Sequence, residues 1–169
     1  MKLLLLGAAA ALGYFVYNKA MNVNTFSKAF DYDFAVKNFR FHTWNEIRFN
    51  LDINILNPSN LGLIITNPLL QVYYNNTQLT RSTYNIPKIE IKANGHSLIK
   101  DIEFKINLLS NWFTIKSMLG ALLKGVTLSN LSSAKEILER NQEAFFKLLR
   151  VQFTGQLNGT PFTKSFNLG

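Results

Sequence analysis

The sequence predicts a mainly β fold: an antiparallel sandwich or barrel with one or two added helices and an N-terminal apolar helix. Three observations predict it. Beyond Tyr32, apolar and polar residues alternate with a period of two over several runs, which gives each strand one core-facing side and one wet side. Asparagine- and glycine-containing turn signals separate these runs at short intervals. Between Ser110 and Arg150 the apolar spacing lengthens to that of a helix.

The chain opens Met1-Lys2 and is then free of charge from Leu3 to Tyr17, with Lys19 the next cation. As a helix this run would span about 22 Å, short of the roughly 30 Å hydrocarbon core of a bilayer. Three readings compete. The basic start and apolar stretch suit a secretory signal, although Asn18-Lys19-Ala20 is a poor cleavage site. As a short uncleaved anchor, Leu3, Leu4, Leu5, Leu6 and Phe15 would lie in lipid, Tyr14 and Tyr17 at the interface, and Lys19 would snorkel. The small residues Gly7 and Ala11, and Ala9 and Gly13, would let a partner helix approach closely. As an assembly helix the same residues would be buried against protein. Residues 21–30 read as a linker and 31–169 as the β domain, with a helical insertion at about 110–149.

Phe34 and Val36, then Phe39 and Phe41, alternate with polar residues, and the slip at Lys37-Asn38 predicts a bulge. Ile47, Phe49, Leu51, Ile53 and Ile55 alternate without interruption up to the proline at Pro58. Leu63–Thr66 and Leu69–Tyr74 flank Asn67-Pro68 as a bent or interrupted strand, and Asn75-Asn76 follows as a tight turn. Ile89, Ile91 and Ala93 lead into Asn94-Gly95, the strongest hairpin signal of the chain. Ile102, Phe104, Ile106 and Leu108 alternate again; Val151 to Leu157, Asn158-Gly159 and a strand with Phe162 and Phe166 close the pattern. In between, Trp112, Ile115, Met118, Leu119 and Leu122 mark one helix with Gly125 as its stop. Ile137, Leu138, Phe145, Leu148 and Leu149 mark a second, from Ser133 to Leu149, capped by Ser132 or Ser133. Both helices read as lids on the β core.

Composition excludes more chemistry than it offers. With 169 residues, 47% hydrophobic and 17% charged, the chain has room for one domain plus an appendage, and is too apolar for disorder and too charged for a multi-span membrane protein. The absence of cysteine removes disulfides, thiolate zinc sites and cysteine lipidation. His42 and His96 lie far apart, which argues against a histidine-rich metal centre. His96 is close in sequence to Ser97 and Asp101, a weak nucleophile constellation. Asp101 and Glu103 are two apart and so share a strand face, read as solvated alongside Lys100 and Lys105. The net charge of +8 favours anionic surfaces. Yet Lys88, Lys92, Lys100, Lys105 and Lys116 are dispersed, without the interleaved stacking rings of a single-strand groove. Glycosylation patterns at Asn75-Asn76-Thr77, Asn130-Leu131-Ser132 and Asn158-Gly159-Thr160 are expected by chance in so asparagine-rich a chain.

The run Leu51-Asp52-Ile53-Asn54-Ile55-Leu56-Asn57-Pro58-Ser59 resembles the strand-plus-Asn-Pro signature of the group 2 late-embryogenesis-abundant domain, also called the water stress and hypersensitive response domain. The resemblance continues through the strand and turn Val72-Tyr73-Tyr74-Asn75-Asn76, the polar stretch Tyr84-Asn85-Ile86-Pro87, and the closing strands Val151–Leu157, with central Gly155, and Thr160–Leu168. It covers roughly residues 31–169. It implies an immunoglobulin-like β-sandwich, no enzymatic activity, and structural roles for Asn57, Pro58, Asn75, Asn76, Pro87 and Gly155. The helical segment from Ser129 to Leu149 departs from the family pattern, and its stripe of Ile137, Leu138, Phe145 and Leu148 is a candidate partner surface.

The expected function is therefore a non-enzymatic binding or structural module at a membrane or envelope, without cofactor or metal. Its partners would be lipid or other protein subunits, a homo-oligomer among them, rather than nucleic acid. One alternative is a structural subunit of a large particle such as a phage virion. Another is an apolar-ligand (lipid) carrier with Trp112, Phe113 and Met118 as its lid.

Overall fold

The computed structural model describes residues 31–83, 85, 88–122 and 131–168. The N-terminal apolar run, the linker, Pro87 and Gly125 lie outside them. Within these residues eight strands and three helices follow in order: β1 (Asp31–Thr43), β2 (Glu46–Asn57), β3 (Leu63–Tyr74), β4 (Thr77–Arg81), β5 (Lys88–Ile91), β6 (Gly95–Asn107), α1 (Trp112–Leu122), α2 (Leu131–Arg140), α3 (Gln142–Lys147), β7 (Leu149–Leu157) and β8 (Thr160–Asn167). The strands form two antiparallel sheets, one ordered β1-β2-β6 and the other β4-β3-β7-β8, with β5 on the same edge of β3 as β4.

Period-two alternation explains why the sheets stack. Ile47, Phe49, Leu51, Ile53 and Ile55 of β2 are fully buried, as are Ile102, Phe104 and Ile106 of β6. They face Leu63, Ile65, Leu70 and Val72 of β3 and Leu149, Val151 and Phe153 of β7 in a single apolar cluster. Removing these side chains from water is the main force holding the layers together. The Phe49 and Phe104 rings stack at 5.2 Å within one sheet, and Phe34 of β1 stacks on Phe166 of β8 at 3.7 Å, joining the two sheets along one side.

Three of the five register shifts among the described strands fall at a residue with positive φ. In β1 the pairing steps from Lys37↔Asn50 to Arg40↔Arg48 around Asn38 (φ 54°), as the slip in the alternation predicts. The extra residue keeps Phe39 and Phe41 on the face that Phe34 and Val36 occupy. In β3 the Asn67-Pro68 pair is a bulge within one continuous strand, with Asn67 at φ 49°. Proline is tolerated there because a bulge releases the chain from the regular ladder. The third bulge, at Asp101 (φ 57°), interrupts β6 between the pairs Leu51↔Ile102 and Ile53↔Ile99.

Asn75-Asn76 and Asn158-Gly159 turn hairpins, as expected. Asn94-Gly95 does not. The chain turns at Asn94 (φ 49°), but β5 pairs with β3 in one sheet and β6 with β2 in the other, so this turn carries the chain between layers. The helices cover one end of the sandwich. Ile115, Met118 and Leu119 of α1, Ala134 and Leu138 of α2, and Phe145 and Phe146 of α3 are buried there. The helix expected from Ser133 to Leu149 is two: it begins at Leu131 and breaks at Asn141. The Asn141 side chain donates to the Ile137 carbonyl at 2.9 Å. The break also re-phases the chain, so that consecutive Phe145 and Phe146 both turn inward.

Candidate functional site

The residues with catalytic potential are not assembled into one centre. His96 is exposed on the outer face of β6 opposite Leu56, whereas Ser97 is opposite buried Ile55 on the inner side. Neighbouring strand residues point to opposite faces, so His96 and Ser97 do not share one. His42 is exposed on β1. Among the described residues no group of three His, Cys, Asp or Glu side chains is placed to hold a metal ion.

The outer face of the β1-β2-β6 sheet is held by ion pairs. Alternation places Asp52 on the wet face, yet it is buried. One carboxylate oxygen accepts from Lys37 Nζ of β1, and the other accepts from the Asp101 backbone amide at 2.9 Å. The lysine bond and then the amide bond hold the Asp52 carboxyl below its ordinary range, against the opposing effect of burial. The Lys37 ammonium is raised in turn by its bond to Asp52. Farther along the face, Arg48 meets Glu46 at 2.7 Å and Glu103 at 3.7 Å, and Lys105 meets Glu103 at 3.2 Å. Of the dispersed lysines, Lys88 pairs with Glu90 and Lys105 with Glu103, while Lys116 is exposed on α1.

At the pole opposite the helices, Asn57 is fully buried and organises two loops. Its Nδ2 donates to the Leu61 carbonyl at 2.7 Å and to the Lys92 carbonyl at 2.9 Å, while Oδ1 accepts from the Ser59 amide and hydroxyl. The Asn94 amide donates to the Ser59 carbonyl at 2.8 Å, tying the inter-sheet turn to the same loop. Pro58 is exposed beside it. Gly155 lies opposite the Asn67-Pro68 bulge, where a Cβ would come within 3.1 Å of both the Thr66 carbonyl oxygen and the Phe162 ring. Asn75 (φ 51°) and Asn76 form the β3–β4 turn, where Arg150 Nη2 donates to the Asn75 carbonyl at 3.2 Å.

The amphipathic stripe considered as a partner surface faces the chain's own core: Leu138 and Phe145 are fully buried, and Ile137 and Leu148 are half-buried against the same cluster. The lid residues also separate. Met118 is core, Trp112 packs on the core, and Phe113 turns outward at 88% exposure. The exposed apolar side chains at this pole are Trp44 in the β1–β2 turn, Leu109 after β6, and Phe113. The Leu108 amide donates to the Asn45 carbonyl at 2.7 Å, which brings the first two turns together. Beside Phe113 lies a depression of about 260 Å³ lined by Tyr74, Asn75, Thr77, Thr114 and Ser117. A second groove, of about 510 Å³, runs along Pro68, Leu69 and the Arg81–Thr83 segment. The sequence signal for Trp44 is its position: a tryptophan in a turn between two alternating strands belongs to neither inward face.

No family model matches the chain, and no curated protein does. Three solved structures are similar in chain path. A crystal structure of a protein from Archaeoglobus fulgidus aligns with TM-score 0.43 and 10% identity, over 81% of this chain and 90% of that one. An X-ray structure of a Northeast Structural Genomics Consortium target aligns with TM-score 0.45 and 9% identity, over 83% and 85%. The solution structure of a candidate late embryogenesis abundant (LEA) protein is a weaker neighbour, with TM-score 0.29 and 10% identity, over 95% and 84%. The chain's own two antiparallel sheets and few short helices make it a mainly antiparallel, sandwich-like β protein. Among the described residues no helix is long and apolar enough to cross a membrane, and the run from Leu3 to Tyr17 lies outside them.

Proposed function

We propose that the chain is a non-enzymatic binding and structural module, an immunoglobulin-like sandwich of the group 2 late-embryogenesis-abundant kind. In this reading the apolar run Leu3–Tyr17 holds it at a membrane or envelope, and the helical pole is displayed to a protein partner. One observation carries the reading: Trp44, Leu109 and Phe113, large apolar side chains, are presented to solvent on turns and a helix start at one pole. Single exposed apolar residues are ordinary, but several gathered on one rigid end fit a contact surface. The Asn57 knot, the Asp52 bulge anchor and the surface ion pairs give polar side chains structural partners, which is consistent with a scaffold role.

Fractionation of native material tests this. The full chain is expected to sediment with membranes, to resist carbonate and high salt, and to be released by detergent. Release without detergent would remove the anchor. Sedimentation with a proteinaceous particle, lost on deletion of residues 1–20, would favour the alternative in which that segment is buried among neighbouring subunits.

A further inference from the structure

We infer that the pole opposite the helices is a lipid-facing surface, with Leu56, Leu61 and Leu98 entering the headgroup layer of the bilayer. This rests on the anchored reading above and adds an orientation to it. Leu61 is 47% exposed at the tip of the β2–β3 loop; Leu56 (39%) and Leu98 (50%) are exposed on the outer face of the β1-β2-β6 sheet near the same end. The three are held by a rigid base, because Asn57 fastens the Leu61 carbonyl to the Lys92 turn.

The path of the chain selects the occupant. β1 begins at this pole, where Asp31 pairs with Leu56. With Leu3–Tyr17 in the bilayer, residues 18–30 reach at most about 45 Å when fully extended. β2 has 12 residues, and at about 3.3 Å per residue it is about 40 Å long. Contact through the helical pole would therefore need the connecting residues almost fully stretched, whereas the Leu61 pole meets the surface at any extension. Charge at this pole is mixed: exposed Lys92 and His96 lie near the leucines, but so does exposed Asp33, opposite Asn54, and Lys88 is paired with Glu90. The contact is therefore apolar in character, and zwitterionic lipid suffices for it.

The chain has no cysteine, so a single introduced thiol reports unambiguously. Full-length chains carrying Asn60→Cys or Ser110→Cys, both exposed positions, are labelled with an environment-sensitive fluorophore and reconstituted in phosphatidylcholine vesicles, with and without brominated acyl chains. The expected result is a blue shift and bromolipid quenching at position 60, neither at position 110, and loss of both in the combined Leu56→Gln, Leu61→Gln, Leu98→Gln chain. That chain should keep its circular dichroism, since these side chains lie outside the core. Co-flotation with both labels in water would overturn the inference and leave the anchor standing. A blue shift at 60 without bromolipid quenching would mean a second copy or another protein covers this pole, which also overturns it. Failure of the full chain to co-float with vesicles would overturn both.

Discussion

The Asp101 amide donates to the Asp52 carboxylate at 2.9 Å, across a bulge in which Asp101 adopts φ 57°. One side chain thus stabilises an irregular backbone and, through Lys37, attaches the edge strand β1 to the sheet. Hydrogen bonds to a charged group are worth about 1.5–3 kcal/mol. Asp52→Ala should therefore lower the stability by about 2 kcal/mol, read as a reduced urea midpoint at unchanged slope. Asp52→Asn retains an acceptor for the amide and should lose less.

The same pair gives a pH dependence with a definite sign. The folded Asp52 carboxyl is held below its ordinary value near 3.8, so its contribution is complete above that value and is lost as pH falls through the lower, folded one. Lys37 is raised above 10.5; its contribution is complete below that value and is lost as pH rises through the folded one. The stability gap between the native chain and Asp52→Asn should be flat through neutral pH and close at both extremes. A gap that widened below pH 4 would contradict the assignment.

Asn57→Ala removes four hydrogen bonds at a fully buried position, leaving the Leu61 carbonyl to the Ser59 hydroxyl and the Lys92 carbonyl to the Gly95 amide. A cost of about 3 kcal/mol is expected, with faster amide hydrogen exchange at Asn94, whose donor to Ser59 depends on the same loop. Asn57→Asp should be worse, because it sets a negative charge against two carbonyl oxygens.

Gly155→Ala forces a methyl group towards the Thr66 carbonyl and the Phe162 ring, and the first of these is backbone. Overpacking of this kind costs about 1–3 kcal/mol, and thermal denaturation would measure it.

Two phenylalanines separate binding from folding. Phe145→Ala, in the core, should cost about 3–5 kcal/mol. Phe113→Ala, at the exposed pole, should change stability by less than about 0.5 kcal/mol while weakening retention of a protein partner in pull-downs from detergent-solubilised native membranes. Unchanged retention would argue against the helical pole as the contact surface.

Local patterns in the sequence translate directly into this architecture, and non-local partnerships do not. The run Ile47 to Ile55 is buried at every second residue, and the slip at Lys37-Asn38 is a bulge, because both follow from side-chain alternation alone. Asn94-Gly95 announces a reversal, but the turn residues carry no information on which sheet each flanking strand will join. Asp52 has the period of a surface residue; its burial comes from Lys37 and from a backbone amide on β6, neither of which is coded near it. The break at Asn141 was likewise hidden, since a helical stripe running through it remains apolar on both sides. Of the exposed leucines at the pole opposite the helices, Leu56 follows Ile55 and Leu98 precedes Ile99, each breaking the alternation of its strand, while Leu61 lies in a loop.

The Phe34–Phe166 stack joins the first and last of the described strands. A seam made from segments so distant in sequence closes only after nearly all of the polypeptide has been synthesised, and topologies dominated by such contacts fold slowly. Until β8 arrives, Phe34 lacks the Phe166 ring that stacks on it, on a nascent chain that already carries the apolar run Leu3–Tyr17. Its biogenesis should therefore depend on chaperones, or on insertion machinery that shields both segments until the final strand docks.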